Sequence, residues 1–251
     1  MREEKNDWQM ARFGLIGKNI DYSFSRTYFK EKFEGEGRND TYENFDLPTA
    51  DALAELLLST PDVKGYNVTI PYKEAIIPLL DQLDEDALQI GAVNTIKRNE
   101  QGQLIGYNTD HVGFSKALEP YLPLEIKKAL ILGSGGASKA VLYSLKKQDI
   151  ACEVVSRSSN GQLSYEELTP DLMRDYGLIV NCTPLGTYPD IDRYPPIPIE
   201  GLGPGQLVYD LVYNPSKTRL MQLAEQKGCQ TLNGYKMLVE QAEAAWEIWN
   251  S

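Results

Sequence analysis

The chain has 251 residues, with 25 Lys+Arg against 36 Asp+Glu and a formal net charge of −11. Hydrophobic residues make up 42% and charged residues 24%, the balance of a soluble globular protein with one large domain or two ordinary ones. An acidic chain repels phosphate backbones, which argues against nucleic acid as main partner, and no apolar run approaches the roughly 18 residues of a membrane span. Met1 to Met10 is mostly charged and polar, without a secretory pattern, so the expected location is cytoplasmic. The single histidine, His111, excludes a multi-histidine metal site. Cys152, Cys182 and Cys229 are scattered and lack CxxC spacing, so neither zinc nor a disulfide framework is expected. Any chemistry must come from Lys, Asp, Ser, Thr or Tyr, or from an organic cofactor.

Strand-like and helix-like stretches alternate along the chain. Phe13 to Gly17 reads as a short buried strand, and a helix follows from about Arg26 to near Gly35. Pro48-Thr49-Ala50-Asp51 opens a second helix, with Leu53, Leu56 and Leu57 at helical spacing. Gly65 to Thr69 is a strand, and Pro71 suits the first turn of a following helix. Ala92 to Arg98 and Leu104 to Asn108 form a hairpin around Asn99-Glu100-Gln101-Gly102. Lys128 to Leu132 is a strand and Ala137 to Lys147 the next helix; strands follow at Glu153–Val155, Leu178–Asn181, Leu207–Leu211 and Gln230–Leu232. The last helix is Met237 to Trp249. Such alternation implies an α/β fold with mainly parallel sheets. Pro120, Pro123 and Lys127-Lys128 mark the approach to a second domain, with the boundary near residue 112.

Leu132 runs into Gly133-Ser134-Gly135-Gly136-Ala137-Ser138, between strand and helix. That is the context of a dinucleotide fingerprint. Gly133 would permit the tight turn, Gly135 the close approach of pyrophosphate, and the helix N-terminus would offer free N–H groups. A glycine turn with no ligand remains the alternative. The next strand ends Val155-Ser156-Arg157-Ser158. A guanidinium between two hydroxyls suits a 2′-phosphate, whereas Glu153 falls too early to hold a ribose.

In the first half, Lys73 falls just after Pro71, in what reads as a helix first turn, where a cation is disfavoured. Asp110 is its plausible counter-charge. The hairpin gathers Asn94, Thr95, Asn108, Thr109 and Asp110 at one end, although turn and cap chemistry accounts for them equally well. Ser23 and Ser25 precede a helix; N-capping explains one of them but not both.

Taken together, these segments resemble the shikimate dehydrogenase family over nearly the whole chain. The likeness is carried by Ser23-Phe24-Ser25, Asn67-Val68-Thr69-Ile70-Pro71-Tyr72-Lys73, Gly91 to Thr95, Asn108-Thr109-Asp110 and the glycine loop. It continues in Asn181-Cys182-Thr183-Pro184-Leu185-Gly186, Asp210 to Pro215 and Gly234 to Ala242. The resemblance implies an N-terminal α/β substrate domain (1–111 plus 235–251) and a Rossmann-type, doubly wound NADP-binding domain (112–234), the C-terminal helix returning to the first. It implies Lys73 and Asp110 as the catalytic pair. Ser23 and Ser25, assisted by Tyr213, would bind the substrate carboxylate; Thr69, Asn94, Asp110 and Gln241 would hold ring hydroxyls. Gly133, Ser134, Gly135, Gly136 and Ala137 would cradle the pyrophosphate, Ser156, Arg157 and Ser158 the adenosine phosphate, and Thr183 and Gly234 would line the nicotinamide. The implied reaction is reversible, NADPH-dependent reduction of 3-dehydroshikimate to shikimate, in aromatic amino-acid biosynthesis, by a monomer or homodimer. A quinate/shikimate dehydrogenase would share nearly all these residues. A folate-type dehydrogenase would not explain the paired serines, and a silent NADP-binding regulator would have little reason to keep Lys73, Asp110 and Ser23 together. Departures from the family include Arg26 and Phe29-Lys30 after the serines, His111 after Asp110, and Ser159-Asn160-Gly161 where a second cation commonly stands.

Overall fold

The computed structural model describes residues 10–21, 23–122, 126–157 and 162–251. The chain divides into two compact units, Met1–Asn108 with Ala245–Ser251, and Thr109–Ala244.

In the first unit the elements run β1 (Arg12–Gly17), α1 (Phe24–Gly35), β2 (Thr41–Asp46), α2 (Ala52–Ser59), β3 (Val63–Val68), β4 (Gln82–Leu83), α3 (Glu85–Ile90), β5 (Thr95–Arg98) and β6 (Leu104–Tyr107). They build a six-stranded sheet in the order β2-β1-β3-β5-β6-β4. β1 pairs in parallel with β2 and β3, while β5 is antiparallel to both β3 and β6. The expected hairpin is present. Ile16, Leu53, Tyr66, Val68, Val93 and Ile96 form one core cluster. Phe13, Phe29, Phe33 and Tyr42 form an aromatic cluster with Trp246 and Trp249 from the chain's end. Trp249 stacks on Phe13 at 4.8 Å and donates its indole N–H to the Ile96 carbonyl at 3.0 Å.

The second unit carries α4 (Asp110–Leu118), β7 (Lys128–Leu132), α5 (Gly136–Lys146), β8 (Ala151–Val155), α6 (Pro170–Met173), β9 (Leu178–Asn181), β10 (Leu207–Asp210), α7 (Arg219–Gln226), β11 (Gln230–Asn233) and α8 (Tyr235–Asn250), whose last residues belong to the first unit. Its five strands are all parallel, in the order β11-β10-β9-β7-β8. Alternate residues of β7 face opposite ways. Ala129 and Ile131 pack with Phe114 of α4 and Val141 and Leu145 of α5. Leu130 and Leu132 pack with Met173 of α6 and Leu220 and Ala224 of α7. Helices therefore cover both faces, which is why these strands read as continuous apolar runs. This is a doubly wound, Rossmann-type sheet.

Three local expectations need correction. No α-helix follows Pro71; the stretch after it is a series of turns ending in a 3₁₀ turn at Ile77–Leu79. Pro78 lacks the N–H and crowds the preceding carbonyls, so a regular helix cannot run through it. α1 starts at Phe24, earlier than Arg26. β2 went unread because it is a polar edge strand whose only buried side chain is Tyr42.

The indole of Trp249 lies where a Cβ on Gly65 would stand, 2.2 Å from its Nε1. Gly65→Ala should therefore destabilise the protein by about 1–3 kcal/mol through overpacking, read as a lowered midpoint in urea unfolding followed by tryptophan fluorescence. An unchanged midpoint would mean that Trp249 yields its place without cost.

Candidate active site

In the second unit the glycine loop links β7 to α5. Gly133 has φ +106 and donates its N–H to the Val155 carbonyl at 2.8 Å. A side chain at that φ would be strained, so glycine is required there. Gly135 caps α5 without a side-chain bond, and a Cβ built on it meets nothing within 4 Å. The first turn of α5 begins with Gly136 and Ala137, whose backbone N–H groups have no partner within the helix. Ser138 is buried and turns its hydroxyl back to the Gly135 carbonyl at 2.6 Å. Ser134 and Ser156 hydroxyls lie 3.0 Å apart and tie the loop to the end of β8. Arg157, next in sequence, is exposed. Ser158 and the following Ser159-Asn160-Gly161 lie outside the described residues. Glu153 is held inside the strand, paired with Lys128 at 3.4 Å and hydrogen-bonded by Tyr176. These residues fit a dinucleotide with an extra phosphate: the unpaired amides of a helix start for a pyrophosphate, a cation at the strand end, and Glu153 engaged elsewhere.

The ends of β9 and β10 meet on Asp210, a carboxylate with 0% exposure. It accepts from Asn181 Nδ2 at 2.9 Å, the Val212 N–H at 3.1 Å and Thr218 Oγ1 at 2.6 Å. Burial pushes its pKa up to about 6, against the opposing pull of these three donors. The Asn181 oxygen in turn accepts from the N–H of Thr183 at 3.0 Å and its hydroxyl at 2.7 Å. Thr183 Cγ2 stands 3.2 Å from the Cβ that Gly133 lacks, so the Thr183 loop and the glycine loop are neighbours. Gly234 donates to the Val212 carbonyl at 3.1 Å, and a Cβ on it would fall 1.9 Å from the Leu211 carbonyl oxygen. Tyr213 follows, half-buried. Thr183, Tyr213 and Gly234 are thus gathered at the carboxyl ends of parallel strands.

Asp110 is the first residue of α4 and is buried. One turn on, a Cβ on Gly113 would lie 2.5 Å from the Met237 carbonyl and 2.9 Å from the Gln241 nitrogen, so α4 and α8 touch backbone to backbone. Gln241 is buried there, its amide donating to the Leu238 carbonyl at 2.8 Å. His111 packs its ring edge-on to Tyr143 at 5.4 Å, and its carbonyl accepts from Ser144.

In the first unit, Ser23 stands at the N-cap of α1 but makes no side-chain cap bond. Ser25 is buried in the first turn and hydrogen-bonds Tyr42. Tyr42 donates to Asn67 Oδ1 at 2.7 Å. Thr69 is held through its N–H to the Ile16 carbonyl at 2.9 Å. Lys73 is half-buried, and its carbonyl accepts from the Val93 N–H at 2.8 Å. Since no α-helix begins here, the argument from a misplaced cation at a helix N-terminus falls; Lys73 stands instead in a turn fastened to the segment that leads through Asn94 into β5. Asn94 is buried, and its N–H bonds the Tyr107 carbonyl at 3.1 Å.

Sequence reasoning quoted Asn67, Asn181 and Asp210 without giving them roles, and missed Tyr42. A polar residue inside the apolar strand run Tyr66-Asn67-Val68 was the available signal for Asn67. Among the described residues, no cluster of three His, Cys, Asp or Glu side chains could hold a metal ion, the three cysteines are free thiols, and no helix is long and apolar enough to cross a membrane.

Residues 15–96 match the family model of the shikimate dehydrogenase substrate binding domain. A shikimate dehydrogenase (NADP(+)) from Methanococcus maripaludis is 38% identical, over 97% of this chain and 92% of that protein. One from Staphylococcus aureus is 36% identical, over 96% and 92%. Among solved structures, the shikimate 5-dehydrogenase of Thermus thermophilus in complex with NADP(H) and shikimate superposes with a TM-score of 0.86 at 34% identity, over 96% and 93% of the two chains. A quinate dehydrogenase from Corynebacterium glutamicum in complex with NAD superposes at 0.87 with 29% identity, over 96% and 93%. An identity well above 30% across nearly the full length, with the same two-unit α/β plan, settles the lineage: the chain belongs to the shikimate dehydrogenase family.

Proposed function

We propose that this chain catalyses the reversible NADP-dependent reduction of 3-dehydroshikimate to shikimate. The observation that carries the reading is the likeness, over 97% of the chain, to a relative named shikimate dehydrogenase (NADP(+)). The open N-terminus of α5 and the cation at the end of β8 support the cofactor. The first unit carries Lys73 and most of the substrate residues, and the second carries the cofactor residues together with Asp110, Tyr213 and Gln241. The three free thiols suit a reducing compartment, the cytoplasm.

The loop Gly133, Ser134, Gly135, Gly136 and Ala137 would cradle the pyrophosphate, Gly133 making the turn with its own N–H held by Val155 and the amides at the start of α5 donating, and Ser156, Arg157 and Ser158 would take the 2′-phosphate. Thr183 and Gly234 flank the nicotinamide. When bound, that ring supplies or accepts the hydride. Ser23, Ser25 and Tyr213 take the substrate carboxylate; Thr69, Asn94, Asp110 and Gln241 take the ring hydroxyls and fix the carbonyl carbon in place. Lys73 donates a proton to the carbonyl oxygen as negative charge builds there, and recovers it from the hydroxyl in the reverse direction. Asp110, the second catalytic group, accepts a hydrogen bond from a ring hydroxyl and holds it in register.

Lys73→Ala should lower kcat for shikimate oxidation about 10²–10⁴-fold while changing KM far less, because the ammonium acts on charge that develops in the transition state. The measurement is absorbance of the reduced nicotinamide in steady state; an unchanged turnover in the folded variant removes the lysine from the mechanism. The same assay with quinate offered beside shikimate separates this reading from a quinate-preferring one.

Arg157→Ala should reduce kcat/KM for NADP⁺ about tenfold or more, the loss of a charge-assisted bond worth roughly 1.5–3 kcal/mol, and leave NAD⁺ nearly unaffected. Equal losses with both cofactors would show that Arg157 does not read the 2′-phosphate.

A further inference from the structure

Tyr42 on β2 and Asn94, just before β5, are far apart in sequence, yet one buried chain of hydrogen bonds joins them. Tyr42 Oη donates to Asn67 Oδ1 at 2.7 Å. Asn67 Nδ2 then faces Thr95 Oγ1 at 3.3 Å and the Asn94 carbonyl at 3.4 Å. Thr95 Oγ1 donates to Asn94 Oδ1 at 3.1 Å. Every link donates in one direction: Tyr42 to Asn67, Asn67 to Thr95, Thr95 to Asn94. Such a chain polarises each member and fixes its orientation.

One end of the chain matters for the site: Asn94 spends its amide oxygen on the Thr95 hydroxyl, so the orientation of its amide is set from within the sheet. Tyr42 itself is locked by stacking on Phe29, with centroids 4.7 Å apart and planes 16° apart. Asn67, Asn94 and Thr95 are 4%, 3% and 0% exposed, so water cannot replace a missing link. A rigid tyrosine on an edge strand thus decides which way two asparagines point.

We infer that Tyr42 is a positioning residue for substrate binding: through Asn67 and Thr95 it sets the amide orientation of Asn94. The inference rests on the proposed role of Asn94, and concerns residues that would not themselves react.

Tyr42→Phe keeps the stacked ring and removes only the hydroxyl. Thr95→Val keeps the shape and cuts the last link to Asn94. Both variants should raise KM for shikimate about tenfold, the scale of one lost buried hydrogen bond, with kcat changed less than KM and KM for NADP⁺ unchanged. Titration calorimetry of shikimate into the cofactor-free proteins should show the same loss of affinity. Lowered thermal midpoints with an unchanged shikimate KM in both variants would overturn the inference and make the chain structural only. Equal rises in the KM of shikimate and NADP⁺ would overturn it too, as general loosening. A wild-type protein that neither binds nor oxidises shikimate would instead overturn the functional reading beneath it.

Discussion

A carboxylate removed from water must be surrounded by donors, and Asp210 shows what that requirement builds. Asn181, Val212 and Thr218 all converge on it. Through Asn181 the constraint reaches Thr183, and through Val212 it reaches the turn that precedes Tyr213 and receives Gly234. Thr218 also caps α7, so the helix covering one face of the sheet starts from the same carboxylate. The group does not stabilise the fold by its charge. Its pKa is raised from 3.8 to about 6, so the folded state holds the proton more tightly than the unfolded chain. This group's contribution to stability is therefore greatest below pH 4 and falls away as the pH rises through 6. What the ionised carboxylate supplies at neutral pH is orientation of three separate segments.

The first unit meets the same constraint with neutral groups. Its sheet buries Asn67, Asn94, Thr95 and Asn108, and each must find a partner. Asn108 satisfies its amide on the Ala92 carbonyl at 2.9 Å, which closes the end of the hairpin. The others pair with one another and with Tyr42. Polar packing of this kind costs more than an apolar core when it is wrong, and that cost makes the arrangement unique.

Much of the architecture was legible because it rests on short-range chemistry. The β7–Gly133–α5 unit announces itself through an apolar run, a glycine that must take positive φ and a helix. The hairpin follows from its Asn-Glu-Gln-Gly turn. α3 also carried readable signals, Asp84 as N-cap and Gly91 as a left-handed C-cap, although periodicity alone passed over it. The illegible parts depend on distant partners. Of Ser23 and Ser25, local reading could assign only one to N-capping, and Ser23 takes that position; Tyr42, on which the relay in this unit depends, lies in a strand whose polar edge sequence resembles a loop. Asp210 and Asn181 are 29 residues apart, and no local pattern says that one orients the other. The expected helix after Pro71 failed for a local reason, Pro78, that was in view.

Both units gather the candidate site residues at the same kind of location. Parallel strands end together, and the loops leaving them carry backbone groups that the sheet no longer pairs. In the first unit β1 and β3 end at Gly17 and Val68, and Ser23, Thr69 and Lys73 follow. In the second, β7, β9 and β10 end at Leu132, Asn181 and Asp210, and Gly133, Thr183 and Tyr213 follow. Such edges favour ligands because the strands behind them are rigid and the loops ahead are free to vary. The buried relays explain how free loops become fixed ones. Asn181 and Asp210 are the last residues of their strands, and each reaches forward to hold the loop that follows it. Specificity then resides in which donor each loop presents. The sheet determines where that donor stands, and the hydrogen bonds beneath it determine which way it faces.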